Sequence, residues 1–147
     1  YLEKNAKNSE ILDYGCGVGT SVEKVITYSP KNISGIDISE VSIEKAKIRA
    51  KKLNIVVNYK VDNCEKTKFK DNTFDIVYGT GILHHLQIDK CLDEIHRLLK
   101  NDGTLTSAGW QPDNSGNDGY PDGSYIYNLN ESYSSEIFPR SFIQSTN

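Results

Sequence analysis

Short apolar runs and segments of helical period take turns along the first 108 residues. Glu10 to Tyr14 is an apolar run that ends on a glycine, which predicts a short buried strand. Val22, Val25 and Ile26 then share one face of a helix that Pro30 stops. Residues 33–38 read as a second strand, and Ser39 is placed to cap a long helix running through Leu53. Residues 55–61 give a third strand. Phe74-Asp75-Ile76-Val77-Tyr78 gives a fourth, entered through an Asp71-Asn72 turn. From Asp89 onward, Leu92, Ile95, Leu98 and Leu99 form an amphipathic stripe that ends before Gly103, and residues 104–108 read as a fifth strand. Five strands separated by helices predict an α/β domain. Its sheet is doubly wound and mostly parallel, with right-handed crossovers and helices on both faces. Ligands of such sheets bind beyond the carboxyl ends of the strands.

The alternation stops at residue 108. Residues 109–147 are rich in Gly, Asn, Asp, Ser and Tyr and include Pro112 and Pro121. A long surface loop is expected over 110–137, broken only by brief apolar runs such as Tyr125-Ile126-Tyr127. Pro139 is placed to open a helix containing Phe142 and Ile143. Two readings of this tail stay open. It is either the incomplete end of the same domain or a substrate-facing segment in which Tyr120, Tyr125, Tyr127 and Tyr133 line a pocket. The expected division is a core over 1–108 and a tail over 109–147.

With 147 residues there is room for one domain with a real core. A formal charge of −3 leaves no electrostatic footprint for nucleic acid or an anionic membrane, so neither partner is expected. The most basic run spans Lys45 to Lys52, but Ile43, Ala46, Ala50 and Leu53 follow helical spacing beneath it. A solvated helix face accounts for it, with a nucleic-acid patch as the alternative. Cys16, Cys64 and Cys91 are odd in number and far apart, which points to reduced thiols and a cytoplasmic protein. No apolar stretch approaches the roughly 20 residues that cross a bilayer, and no signal-peptide pattern opens the chain. Methionine is absent, even at position 1, so Tyr1 is not expected to be the native start and the chain reads as a piece of something longer.

The chemistry is concentrated in Asp13-Tyr14-Gly15-Cys16-Gly17-Val18-Gly19-Thr20. A strand that runs through a glycine turn into a helix start brings bare backbone close to a ligand, beside a positive dipole end. Thr20 can cap that helix, with Glu23 reaching back as a capping box. The dinucleotide fingerprint Gly-x-Gly-x-x-Gly would need glycine at position 20, where threonine stands. Asp37 lies eighteen residues past Gly19 at the end of the second strand. A carboxylate there can accept both hydroxyls of a ribose, or it can cap the helix beside Ser39. Asp62, in Val61-Asp62-Asn63-Cys64, follows the third strand and can be a plain turn acid.

Asp-x-Gly-x-Gly-x-Gly resembles the first motif of the class I S-adenosylmethionine-dependent methyltransferases, whose sheet is Rossmann-like. The segment from Phe74-Asp75-Ile76-Val77 to Leu83-His84-His85-Leu86 is similar to the strand and helix start of type 11-like small-molecule methyltransferases. Glu94-Ile95-His96-Arg97-Leu98-Leu99-Lys100-Asn101-Asp102-Gly103 looks like that group's helix and turn into the fifth strand. Asn101-Asp102-Gly103 stands where the group usually shows Pro-Gly-Gly, which is also turn chemistry. The resemblance covers about residues 10 to 108.

The resemblance implies S-adenosylmethionine as cofactor and a small-molecule methyl acceptor. Backbone at Gly15, Cys16, Gly17 and Gly19 would approach the methionine part, with Asp13 supporting the loop and holding the amino group. Asp37 would take the ribose, Ile38 would pack on the adenine, and Asp62 and Asn63 would serve the base. Gly79 and Thr80 would lie near the sulfonium. One of His84 and His85 can be a general base, or it can orient and pack; adjacent helix residues point about 100° apart, so only one faces the pocket well. His96 is expected on the helix surface, and no metal site is expected because His84, His85, Cys91 and His96 fit no zinc spacing. The group continues with a further helix and an antiparallel strand pair, so this chain is expected to be truncated at both ends. It should then leave a sheet edge exposed and bind cofactor more weakly than the intact protein. Two other functions stay open: a degenerate cofactor- or partner-binding module, and a nicotinamide-dependent oxidoreductase fragment.

Overall fold

A computed structural model describes residues 1–80, 82, 87–108 and 125–128. Its centre is a six-stranded sheet in the order β3-β2-β1-β4-β5-β6. The strands are β1 (Glu10–Tyr14), β2 (Asn32–Asp37), β3 (Asn58–Val61), β4 (Phe74–Thr80), β5 (Leu99–Ala108) and β6 (Tyr125–Asn128). The first five are mutually parallel and β6 runs antiparallel to β5. β1 lies between β2 and β4, so the direction of winding reverses at its carboxyl end and a crevice opens there.

Alternate residues of the strands feed two apolar layers. Leu12, Tyr14, Ile36, Phe74 and Val77 pack on one face with Leu92, Ile95 and Leu98 of α4 (Ile88–Leu98). On the other face, Ile11, Ile33, Ile76 and Tyr78 meet Val22 and Val25 of α2 (Val22–Val25) and Ile43, Ala46 and Ala50 of α3 (Glu40–Lys52). A short α1 (Leu2–Asn5) leads into β1. The expected α/β sheet with helices on both faces is therefore what the chain forms. Ser39 caps α3 as expected, accepting from the Ser42 N–H at 3.2 Å. The lysines of α3 lie on its exposed face.

Four local differences have physical causes. The third strand starts at Asn58 because residues 53–55 close α3: Asn54 takes φ +54° and the Ile55 N–H donates to the Ala50 carbonyl at 3.0 Å. The capping box at Thr20 and Glu23 does not form. Ser21 is the N-cap of α2, its hydroxyl is drawn to the Asp13 carboxylate, and Glu23 pairs with Arg49 at 2.5 Å. β5 begins at Leu99, before Gly103, because residues 100–103 bulge opposite Asp75 alone and Lys100 holds the Asp75 carboxylate at 2.9 Å.

The fourth difference is in the tail. The long loop expected over 110–137 contains β6, which pairs with Thr104–Ser107 and covers the edge of β5 expected to be bare. Tyr and Ile favour strands, and β5 offers them unpaired backbone groups. Tyr120, Tyr133 and the helix expected at Phe142 and Ile143 lie outside the described residues. No helix among the described residues is long and apolar enough to cross a membrane.

Candidate functional site

The crevice at the carboxyl end of β1 is floored by the glycine loop. The Cys16 N–H continues the sheet's bonding by donating to the Ile36 carbonyl at 2.8 Å, and the Gly19 N–H closes a tight turn onto the Cys16 carbonyl at 2.9 Å. Gly15 and Gly17 both take left-handed φ, +74° and +52°. A Cβ on Gly15 would run into Ile82, whereas one on Gly17 would meet nothing within 4 Å. Gly17 is thus required by its backbone alone, and its outer face is open.

Asp37 closes the crevice from β2. Its Oδ2 accepts from the Gly17 N–H at 2.9 Å and its Oδ1 from the Ser39 N–H at 2.9 Å. The acid therefore sets the start of α3 and also touches the glycine loop. Each oxygen keeps a second lone pair for a ligand. Ile38, next in the chain, is 73% exposed on the same rim, beside the exposed Val61.

Asp62 is buried, with both oxygens engaged by backbone: Oδ1 by the Asn63 N–H at 3.0 Å and Oδ2 by the Lys68 N–H at 2.9 Å. Its own N–H donates to the Asp37 carbonyl at 3.1 Å, which places the turn against the crevice. The geometry is that of a turn acid. Asn63 is the exposed member of the pair, and its side chain accepts from the Glu65 N–H at 2.8 Å.

Asp13 does not open onto solvent. It is 1% exposed, and the Ser21 hydroxyl donates to its Oδ2 at 2.5 Å. The Tyr78 hydroxyl stands 3.4 Å from Ser21 Oγ. Burial pushes the Asp13 carboxyl up to about 6, against hydrogen bonds from Ser21 and Tyr78 that pull it down and the Asp37 charge that raises it further. Ser21 and Tyr78 were not legible as partners of Asp13. The only signal was a hydroxyl eight residues past the acid, at a helix start, where it reads as a cap.

Cys16 is buried against its own loop, and burial holds its thiol protonated, so it is not a reactive group. Gly79 is buried and Thr80 exposed at the end of β4, with Ile82 lying against both Gly15 and Gly79. His96 is exposed on α4, as expected. His84 and His85 lie outside the described residues. A cleft of about 330 Å³ opens between α1, α2 and the ends of β4 and β5, with Ser21, Tyr28, Tyr78, Gly79, Thr80 and Thr106 among its walls.

A buried network that sequence reading also missed holds the turn after β3. The carboxylate of Glu94 accepts from the backbone and hydroxyl of Thr67, each at 2.7 Å, and from Arg97 at 2.5 Å. Arg97 also donates to the Phe69 carbonyl at 2.9 Å.

A glycine loop at the reversal point of a doubly wound sheet, facing an acid at the end of the neighbouring strand, is the arrangement with which Rossmann-like domains bind nucleosides. The family model described as "Methyltransferase domain" matches residues 12–107, and the chain belongs to that family. S-adenosylmethionine is the cofactor this family membership indicates. The chain is 36% identical over 107 residues to the ubiquinone biosynthesis O-methyltransferase of Pelagibacter ubique, an alignment covering 72% of this chain and 44% of that one. It is 32% identical over 112 residues to 24-methylenesterol C-methyltransferase 3 of Arabidopsis thaliana, covering 74% and 31%. Among solved structures, the PH0226 protein of Pyrococcus horikoshii superposes with TM-score 0.69 at 30% identity, over 74% of this chain and 52% of that one. The [4+2]-cyclase SpnF superposes with TM-score 0.67 at 26% identity, over 71% and 39%. The chain thus spans less than half the length of these two curated relatives.

Proposed function

We propose that the protein transfers a methyl group from S-adenosylmethionine to a small-molecule acceptor by in-line displacement. The observation that carries this is the Gly17–Asp37 hydrogen bond, which sets a carboxylate with spare lone pairs beside an unobstructed glycine backbone. In this reading the backbone of Gly15, Cys16, Gly17 and Gly19 lies along the methionine part, and Asp13 braces the loop from behind. Asp37 takes the ribose hydroxyls through its free lone pairs, Ile38 covers the adenine, and Asn63 with the Asp62 turn flanks the base. Gly79 and Thr80 border the sulfonium. Because the sulfonium is already activated, holding it in line with the acceptor supplies much of the rate.

The acceptor is read only as a small molecule. One relative is named for O-methylation and another for C-methylation, so relatives do not fix the acceptor atom. We assign 1–108 as the cofactor-binding core and 109–147 as a further part of the same domain, supported by the pairing of β6 with β5. A cytoplasmic location rests on three buried, reduced cysteines.

The test is calorimetric titration with S-adenosylmethionine, repeated on Asp37→Ala, together with a methyl-transfer assay. A second reading, a module that binds the cofactor without transferring methyl, draws on the likeness to a protein described as a cyclase. Tight cofactor binding with no methyl transfer by the full-length protein would favour it.

A further inference from the structure

Asp13 is a carboxylate sealed in the core directly behind the glycine loop, and the two polar groups it touches both line the adjoining cleft. The Ser21 hydroxyl donates a hydrogen bond to Asp13 Oδ2 at 2.5 Å, and the Tyr78 hydroxyl lies 3.4 Å from Ser21 Oγ. Gly79 and Thr80, proposed above to border the sulfonium, line the same cleft. A hydrogen-bonded chain therefore leads from the place where a methyl acceptor would stand to a buried acid.

We propose that Tyr78, Ser21 and Asp13 form the proton exit for a hydroxyl-bearing acceptor lodged in this cleft, an inference that rests on the methyltransferase reading. As the acceptor oxygen attacks the methyl carbon, the carbon–sulfur bond breaks and its electron pair stays on sulfur. The acceptor proton passes to the Tyr78 oxygen, the Tyr78 proton to Ser21 Oγ, and the Ser21 proton to Asp13. The sulfonium and the carboxylate begin as opposite charges and end as a neutral thioether and a neutral acid. No charge is left stranded in the interior, which favours the step at low dielectric. Tyr78 works as a neutral relay, since burial keeps its phenol protonated. The other titratable groups around Asp13 suit this role. Cys16 and Tyr59 are held protonated by burial, and Asp37 adds a like charge that raises the affinity of Asp13 for the proton. Tyr1, Glu3, Lys24 and Tyr28 are the other titratable residues in the cleft's walls.

The experiment uses the full-length protein with methyl-tritiated S-adenosylmethionine and a total small-molecule extract of the source cells, measured between pH 5 and 9. Wild type is expected to transfer label, with a rate that falls on the acid side through about pH 6 as Asp13 becomes protonated. Tyr78→Phe and Ser21→Ala are expected to lower the rate by roughly a hundredfold while leaving cofactor affinity within about twofold. Asp13→Asn is expected to abolish the acid limb. Wild-type rates in both Tyr78→Phe and Ser21→Ala would overturn the relay and leave methyl transfer standing. An acid limb that persists in Asp13→Asn would do the same. Failure of the wild type to transfer any label would contradict the methyltransferase reading and the relay with it.

Discussion

The backbone N–H of Gly17 donates to Asp37 Oδ2 at 2.9 Å, tying the middle of the glycine loop to the end of the neighbouring strand. The same carboxylate accepts from Ser39 at 2.9 Å, so it serves the loop and the helix start together, and in the proposed function it also takes the ribose. Asp37→Ala removes all three contacts and Asp37→Asn keeps an acceptor oxygen. Calorimetry is expected to show at least a tenfold loss of S-adenosylmethionine affinity in Asp37→Ala, from hydrogen bonds to a charged group worth about 1.5–3 kcal/mol each. Asp37→Asn should fall between the two.

Gly15 and Gly17 both have left-handed φ but different surroundings, and their alanine variants should separate loop strain from ligand obstruction. Gly17→Ala adds a methyl into open space and carries only the backbone cost of about 1–2 kcal/mol. It should lose cofactor affinity well beyond its fall in Tm. Gly15→Ala also drives a methyl into Ile82 and should lose more stability than Gly17→Ala in the same thermal scan.

Asp13 gives stability a pH dependence of unusual sign for a carboxylate. Its folded value is raised from 3.8 to about 6, so protonation favours the folded state. The contribution is fully present below about pH 3.8 and is lost as pH rises through about 6. At neutral pH the buried charge costs about 3 kcal/mol. Asp13→Asn should therefore raise Tm at pH 7.5 and flatten its slope between pH 4 and 6.5, measured by thermal unfolding across buffers.

Glu94 has the opposite behaviour. Burial alone would raise its carboxyl, but hydrogen bonds from Arg97 and Thr67 outweigh burial and hold it below the ordinary range. Its stabilisation is present above the unfolded value and is lost as pH falls toward the depressed one. Glu94→Ala leaves the Thr67 N–H and the Arg97 guanidinium without this partner, and should cost about 2–4 kcal/mol in urea unfolding.

What was legible in the chain follows from the range of each interaction. The strands and helices around Ile11, Ile43, Val77 and Ile95 announce themselves by period, because burial repeats locally. Ser39 was readable because a cap acts within a few residues of its own position, whereas the Asp37 bond to Gly17 reaches across from the neighbouring strand. The Ser21 hydroxyl is chosen by a competition that only the fold decides, between a neutral cap and a buried carboxylate, and the carboxylate prevails. The pairing of Tyr125–Asn128 with β5 is equally a matter of which edge lies within reach. The bulge at residues 100–103 was visible as turn chemistry but not as an excursion within a strand.

Side-by-side calorimetric titration with S-adenosylmethionine and NAD tests most directly whether the glycine loop and Asp37 bind S-adenosylmethionine rather than a dinucleotide. Saturable binding of S-adenosylmethionine, lost in Asp37→Ala, with no measurable heat from NAD, is the predicted result. Tighter binding of NAD, or S-adenosylmethionine affinity unchanged in Asp37→Ala, would contradict it.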